Sequence, residues 1–382
     1  MALDTRPATT TEVATADASR SHGNAGSARL ESLIRAASSA EWDRFVTTVR
    51  GGDQVQSSPW GEVKRASGMT PVLAIVRHGD EIVGGAQVIL RRLPAFGTIG
   101  YVPLGPLYAD DPVLPDVIAE LRRCMRTHRV RALVVQPPFG GGAVAAALTA
   151  EGAVRSPFEV APSATLIASL EGGEAALFER LRSSVRRNVR QSERAGVTVR
   201  ELAHDELSIF HRLHEATAQR QRFDPISLER LHDMWDALGI AGMRVFVAEF
   251  EGSALAGAAL SSFGRTLTYK IPGSERAGKL RPADVLHWQI MRRAAAEGFH
   301  WYDLGGVPRD YALDLVEGRE PAPHPELGPA EFKRGLGGIP VVLPEPLVLI
   351  PSGALRATFR WFAARPRLAE AVQGWLDSIR RA

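Results

Sequence analysis

The chain repeats a pattern of its own. Gly79-Asp80-Glu81-Ile82-Val83-Gly84-Gly85-Ala86 is matched by Gly252-Ser253-Ala254-Leu255-Ala256-Gly257-Ala258-Ala259, about 170 residues later. Each copy is a turn glycine, an apolar entry, a second glycine and a small-residue strand. An apolar strand precedes each, Val72 to Val76 or Val245 to Phe250. Each is followed by a strand ending in an aromatic near proline, Tyr101 with Pro103 or Tyr269 with Pro272. A helix (112–128 or 283–297) and a short strand (132–135 or 300–304) complete the copy. Two copies of one α/β unit are therefore expected, each a mixed sheet covered by helices.

The 382 residues hold two such units with flanks on both sides. Residues 1–27, rich in Ala, Thr, Ser and Gly without a periodic apolar face, read as a disordered tail. Ser39 before Trp42 and Phe45 reads as a capped helix start, and Pro59 to Ser67 as a second short helix. The first unit is expected over 28–155 and the second over 156–320. Residues 321–382 are expected to pack back on the first unit and to end in two amphipathic helices over 353–380. There Arg356, Arg360, Arg365 and Arg367 stand among Trp361, Phe362, Leu368 and Trp375. The element order matches the acyltransferase fold of the N-acetyltransferases. The expected fold class is α/β (α+β), with two tandem GNAT-like acyltransferase domains.

Composition narrows the function classes. Apolar residues make up 45% and charged residues 23%, an ordinary globular balance. The net charge of +3 is too small for a general polycation, so any nucleic-acid contact must come from a local patch. The single cysteine, Cys124, excludes an intramolecular disulfide or a cysteine-based metal cluster, and its helical run marks it as a core thiol. No stretch reaches the roughly 18–20 apolar residues of a membrane span. No apolar run follows the first charges, so no secretory signal is expected, and a cytoplasmic location is the expectation.

Four segments have the residue types for chemistry or binding. Phe178 to Arg194 contains Arg180, Arg182, Arg186, Arg187, Arg190 and Arg194, while Leu177, Leu181, Val185 and Val189 repeat every four residues as a buried stripe. Arginine forks on the opposite faces suit phosphates. Thr217 to Asp224 ends one helical run where Arg220 is placed to hold an anionic group. Tyr302-Asp303-Leu304-Gly305-Gly306 closes a buried strand on a carboxylate, and ligands of open α/β sheets sit at such ends. Glu331-Phe332-Lys333-Arg334 precedes flexible glycines, and a lysine there suits an oxyanion or phosphate. Taken singly, each also fits an ordinary solvated surface or turn.

An absence adds to these. Acetyl-CoA enzymes of this fold cradle a pyrophosphate on a glycine-rich loop that opens a helix. The corresponding stretch here, Ser274 to Ala283, has one glycine, and the first-half equivalent is the acidic Asp110-Asp111-Pro112. No Walker loop, zinc-protease motif or nucleophile elbow is present. No metal and no cofactor are expected.

Taken together, these segments resemble the Fem family, aminoacyl-tRNA-dependent transferases that build peptidoglycan cross-bridges. Leu181-Arg182-Ser183-Ser184-Val185-Arg186-Arg187-Asn188-Val189-Arg190 is similar to the family's basic helix. Thr217 with Arg220 and Phe223 resembles its Thr-x-x-Arg segment, and Tyr302-Asp303-Leu304-Gly305-Gly306 its Tyr-Asp-Phe-Gly-Gly. Phe332-Lys333 with Gly337-Gly338 resembles Phe-Lys-x-x-Phe-Gly-Gly. Trp60 with Val63-Lys64, and Tyr101-Val102-Pro103 with Gly105-Pro106, resemble two first-half signatures, so the likeness runs over residues 40–345. Leu104 stands where many members have arginine, and Leu336 where they have phenylalanine.

The resemblance implies a charged tRNA as co-substrate and an acceptor amine on a muropeptide or a small natural-product precursor. Peripheral membrane contact follows if the acceptor is lipid-linked. It implies Lys64, Tyr101, Arg220 and Tyr269 as acceptor-binding residues, and Arg182, Arg186, Arg187 and Arg190 as tRNA-binding residues. Lys333 is placed beside the reacting ester, with Asp303, Asp110 and Asp111 as candidates to accept the amine proton. No 50-residue heptad segment is present, so the coiled-coil arm of some members is not expected. An acyl-CoA N-acyltransferase and a non-catalytic RNA-binding protein are the alternatives.

Overall fold

A computed structural model of the chain describes residues 39–94, 96–275, 280–323 and 327–363. The tail expected over 1–27 and the second terminal helix lie outside the described residues.

The first unit opens with α1 (Ser39–Thr48) and α2 (Ser58–Ala66). It continues through β1 (Thr70–His78), β2 (Glu81–Leu93), β3 (Gly97–Val102), β4 (Leu107–Tyr108), α3 (Leu114–Thr127), β5 (Val130–Val135), α4 (Gly142–Ala150) and β6 (Val154–Arg155). Next come β7 (Ala164–Ser169), α5 (Gly173–Arg180), α6 (Ser183–Arg194), β8 (Thr198–Glu201), α7 (Leu207–Gln221) and α8 (Leu228–Gly242). The second unit's repeat is β9 (Met243–Phe250), β10 (Ser253–Phe263), β11 (Thr266–Ser274), α9 (Pro282–Ala296) and β12 (Trp301–Gly306). The chain then runs through α10 (Arg309–Val316), α11 (Leu327–Gly335), β13 (Ile339–Val342), β14 (Leu347–Leu349) and α12 (Gly353–Ala363).

Two sheets result. The first has the order β1-β2-β3-β5-β14-β6, with β4 on β2; the second is β13-β7-β12-β11-β10-β9-β8. The repeat is visible in both: an antiparallel hairpin (β1/β2 or β9/β10), a third antiparallel strand (β3 or β11), and a parallel partner reached through a helix (β5 or β12). The turn glycines Gly79 and Gly252 have φ of 60° and 76°, conformations open to glycine at little cost. Among the described residues no helix exceeds 15 residues, so they contain no coiled-coil arm.

Between the units the chain trades strands. β7 follows the first unit, yet it joins the second sheet beside β12. β14 follows the second unit, yet it inserts into the first sheet between β5 and β6. All three residues of β14 are buried, so the strand needs a neighbour on each side and cover on both faces. Residues 321–382, expected as one segment returning to the first unit, therefore divide. β13 stays on the second sheet, and β14 enters the first.

The seam between the units is polar and specific. The short turn Gln54–Gln56 is buried there. Gln54 Nε2 crosses to the Gly242 carbonyl at 2.9 Å, while Gln56 Nε2 fixes the turn to the Pro103 carbonyl of its own unit at 2.6 Å. Val63 of α2 packs in one cluster with Leu231, Met234 and Trp235 of α8, so a helix of the first unit completes a core of the second. Cys124 is buried in the first core, and burial pushes its thiol up to about 11. It is a packing residue.

Candidate functional site

The second unit's sheet breaks where β12 ends. Asp303 pairs with Ile167 and Gly306 with Thr165, with a register shift between the two pairs. Gly305 makes the break at φ 82°, and a Cβ there would lie 2.8 Å from the Tyr269 carbonyl oxygen. Only glycine fits so close an approach of two strands without strain. The side chains around this break bond to the backbone it frees.

Lys333, on α11, reaches this break. Its Nζ donates to the Gly306 carbonyl at 2.6 Å. Phe332 turns inward, its ring edge-on to His287 at 5.4 Å between centroids. His287, buried on α9, contacts Tyr269 edge-on at 4.6 Å and shares a 2.7 Å hydrogen bond through Nδ1 with the Tyr302 hydroxyl. Burial, aided by the Lys333 charge, pushes His287 down to about 3, so the ring is neutral near pH 7. Burial also raises the Tyr269 and Tyr302 hydroxyls above their ordinary value, leaving both protonated.

Asp303 stands on the same strand end. Its carboxylate accepts from the Thr165 hydroxyl in a short hydrogen bond and from Gly305 N at 2.8 Å. Burial pushes the carboxyl above the usual carboxylate range. The Thr165 and Gly305 hydrogen bonds and the Lys270 charge oppose that rise, and the Asp53 charge from the first unit adds to it. Lys333, Asp303 and Tyr269, expected from three separate segments, thus converge on one strand break.

Asp110 and Asp111 do not join them. Both are exposed on the first unit, where Asp111 hydrogen-bonds Tyr108 and Arg50 acts on the same hydroxyl. The charges that act on Asp303 are those of Lys270 and Asp53.

The acceptor-binding candidates divide. Lys64, largely buried on α2, holds its Nζ 5.2 Å from the centroid of the Trp60 ring. Tyr101 lies on β3 with its hydroxyl 3.7 Å from Met69 Sδ, and it acts electrostatically on Arg230 of α8. Leu104, in the arginine position of the family motif, sits at φ 47° before a cis Gly105–Pro106 bond. Arg220 is committed to the protein itself: Nη1 donates to the Ser274 carbonyl at 3.1 Å and Nη2 to the Ser274 hydroxyl at 2.7 Å. Ser274 N in turn donates to Thr217 Oγ1 at 2.8 Å. This segment ties α7 to the end of β11.

The arginine run, expected as one helix from Phe178 to Arg194, is two. Leu181 and Arg182 are extended, with ψ of 143° and 144°, and they separate α5 from α6. The apolar stripe survives the break, since Leu177, Leu181, Val185 and Val189 are all buried in one core. The arginines fall into two groups. Arg182 pairs with Glu331 at 2.6 Å, and Arg186 Nη1 donates to the Glu179 and Leu181 carbonyls at 2.7 and 3.0 Å, capping α5. Arg187, Arg190 and Arg194 with Gln191 instead line an open surface depression of about 350 Å³. Arg190 lies 5.0 Å above the Phe178 ring. The Glu331 pair also joins this helix to α11, two residues before Lys333.

The start of α9 is the position of the pyrophosphate cradle in this fold. Asp284 in its first turn is buried and accepts from Asn188 Nδ2 of α6 at 2.7 Å. Burial raises its pKa, with the Asn188 bond and the Arg281 charge opposing. Arg281 N donates to Ser192 Oγ of α6 at 3.2 Å. The arginine helix therefore lies across the start of α9, where its Asn188 and Ser192 meet Asp284 and the Arg281 backbone.

Sequence reasoning passed over His287, Thr165 and Asp284. His287 sits among apolar residues of α9 like any core residue, and only the fold places it beside Lys333. Thr165 belongs to the exchanged strand β7, so its link to Asp303 crosses 138 residues.

Two tandem acyltransferase-like units joined by exchanged strands define the class. The FemAB family model matches residues 37–147, and the acetyltransferase (GNAT) domain model matches 179–321. These matches, together with the fold, support the likeness to the Fem family. It is 25% identical over 211 residues to the lipid II:glycine glycyltransferase of Staphylococcus haemolyticus, covering 52% of this chain and 50% of that protein. The chain thus spans about half the length of the curated relatives it matches. In fold it is similar to the crystal structure of FemX, with a TM-score of 0.75 at 18% identity, covering 84% of this chain and 98% of that one. It is less similar to the C-terminal domain of a putative lysylphosphatidylglycerol synthetase from Agrobacterium fabrum. That match has a TM-score of 0.51 at 14% identity, over 86% of this chain and 97% of that one.

Proposed function

We propose that the chain transfers an amino acid from the ester of a charged tRNA to an acceptor amine, in the cytoplasm and without a bound cofactor or metal. The acceptor is a muropeptide amine on a cell-wall precursor, as the names of the glycyltransferase relatives favour; a small natural-product amine fits the same chemistry. The observation that carries the reading is the α6–α9 contact. Asp284 and Asn188 occupy the helix start where a CoA pyrophosphate would bind, and the same helix offers Arg187, Arg190 and Arg194 outward. A carboxylate there repels phosphate, whereas three outward guanidinium groups attract it.

The ester is already activated, so the protein supplies position and charge. The neutral amine attacks the ester carbonyl, a C–N bond forms, and the carbonyl oxygen becomes an oxyanion. Lys333, held at the Gly306 carbonyl, stabilises that oxyanion or the ribose oxygen as the C–O bond breaks. Asp303, whose raised pKa suits a base working nearer neutrality, accepts the proton lost by the amine. The neutral His287 packs beside the lysine without competing for its charge.

The test is direct. Purified protein is incubated with a pool of charged tRNAs, with acetyl-CoA, or with neither, together with muropeptide and small-molecule amines, and products are read by mass spectrometry. Aminoacylated amine in the tRNA arm alone is the expected result. Acetylated product would establish the acyl-CoA reading instead, and tRNA binding without product in any arm would establish a non-catalytic RNA-binding protein.

A further inference from the structure

The end of the first sheet opposite β3's C-terminus carries a concentration of positive charge that the transfer chemistry does not use. The stretches 82–109 and 121–150 contain no aspartate or glutamate. Topology brings them together. Leu93 at the end of β2 pairs with Gly97 at the start of β3, and Thr98 pairs with Val130 at the start of β5. The β2–β3 tip, the C-terminus of α3 and the start of β5 therefore share one edge.

Arg92, Arg126, Arg129 and Arg131 are all exposed there. Among the described residues none of the four is in an ion pair. Arg131 lies over Gly97, so close that a Cβ on the glycine would sit 3.1 Å from its Nε. Glu151, at this end of α4, is already paired with Arg122. From the middle of the arginines the tip projects Pro94 and Phe96, the phenylalanine 37% exposed.

A second element reaches the same edge. β14 runs antiparallel to β5 and to β6, so its C-terminal end, where α12 begins, lies at the starts of both. Arg356 of α12 confirms the placement, since a Cβ on Gly152, just before β6, would lie 3.0 Å from its Nη1. Phe359 packs on Phe158 at 6.3 Å, while Arg360 and Trp361 face outward, the tryptophan 58% exposed.

We propose that this edge docks the protein on an anionic lipid bilayer. Arginines without acidic counterparts are drawn to the negative surface of a membrane leaflet, and an exposed phenylalanine and tryptophan among them suit the interfacial layer. The two exposed aromatics stand on separate elements, the β2–β3 tip and α12, and rings set among arginines at one edge suit a lipid interface. The docked orientation also suits a lipid-linked acceptor. Tyr101 lies four residues along β3 from Gly97, about 13 Å at strand spacing, so a headgroup rising from the bilayer would extend toward it. That last link rests on the proposed transfer reaction; the docking itself does not.

Cosedimentation with vesicles tests it, in the absence of tRNA and acceptor, so the outcome is separate from that of the transfer assay. The intact chain should pellet with vesicles of phosphatidylcholine containing phosphatidylglycerol and stay in solution with phosphatidylcholine alone. Arg92→Gln with Arg129→Gln should lower partitioning about 25-fold, roughly five-fold for each arginine near the surface. Phe96→Ser with Trp361→Ser, at side chains outside the buried core, should weaken binding independently. Replacing Arg187, Arg190 and Arg194 by Gln should leave it unchanged. The proposal fails if the intact chain does not pellet, or if both edge variants pellet as it does. It fails equally if the α6 variant alone loses binding, or if the edge variants lose affinity for RNA but not for vesicles.

Discussion

Lys333 and His287 lie together behind the β12 break, and the ammonium of the one helps keep the ring of the other neutral, with burial as the larger cause. The lysine is thereby the positive group that α11 and α9 present to the strand end, fixed by its 2.6 Å bond to Gly306. Its charge is in place before any charge develops on a substrate.

Lys333→Met should therefore fold, still bind tRNA, and lose turnover by roughly 100–1000-fold, the usual cost of one preorganised donor. Single-turnover transfer and filter binding of tRNA measure the two effects separately. Turnover near that of the intact chain would remove Lys333 from the proposed chemistry.

The arginine helix makes a sharper prediction than its composition did. Arg187, Arg190 and Arg194 face solvent around one depression, whereas Arg182 and Arg186 are held by Glu331 and the end of α5. Replacing the first three by Gln should weaken tRNA binding and flatten its salt dependence, by about one unit of slope for each phosphate no longer neutralised. Arg182→Gln should instead lower thermal stability with little change in that slope.

Gly305→Ala places a Cβ at φ 82° and 2.8 Å from the Tyr269 carbonyl. A destabilisation of about 1–3 kcal/mol is expected, read as a lower urea midpoint. A variant as stable as the intact chain would mean that the strand break is softer than its geometry.

Protonation of His287 should cost stability in mild acid, against the raised carboxyls of Asp303 and Asp284, which act in the opposite sense. His287 is depressed to about 3 against about 6.5 in an unfolded chain, so between those values the unfolded state binds the extra proton. Its contribution is complete above pH 6.5 and is lost as pH falls through the window below. Going from pH 7.5 to 5.5 should cost about 1.4 kcal/mol from this residue alone. His214, also depressed mainly by burial, adds in the same direction. His287→Gln should reduce the pH slope of the urea midpoint even if it lowers stability at every pH.

Acetyl-CoA should give no saturable heat at micromolar concentrations in calorimetric titration, because Asp284 and Asn188 fill the start of α9. Saturable binding would show that this contact opens.

The duplicated unit, the turn glycines, the buried arginine-helix stripe and the motifs around Lys333 and Asp303 were legible in the sequence, because each is a local pattern of period or spacing. Tertiary structure alone decided which strands trade between the units, since β14 is three apolar residues whose partners lie about 200 positions away. It alone divided the arginines into those that hold α5 and α11 and those that face solvent, because one residue type serves both and only its neighbours differ. It likewise decided that Lys333, Asp303 and Tyr269 meet while Asp110 and Asp111 stand apart. The charge of a carboxylate is written in the sequence; the burial, the Thr165 hydroxyl and the distant Asp53 that set its proton affinity are supplied by chain segments far from it.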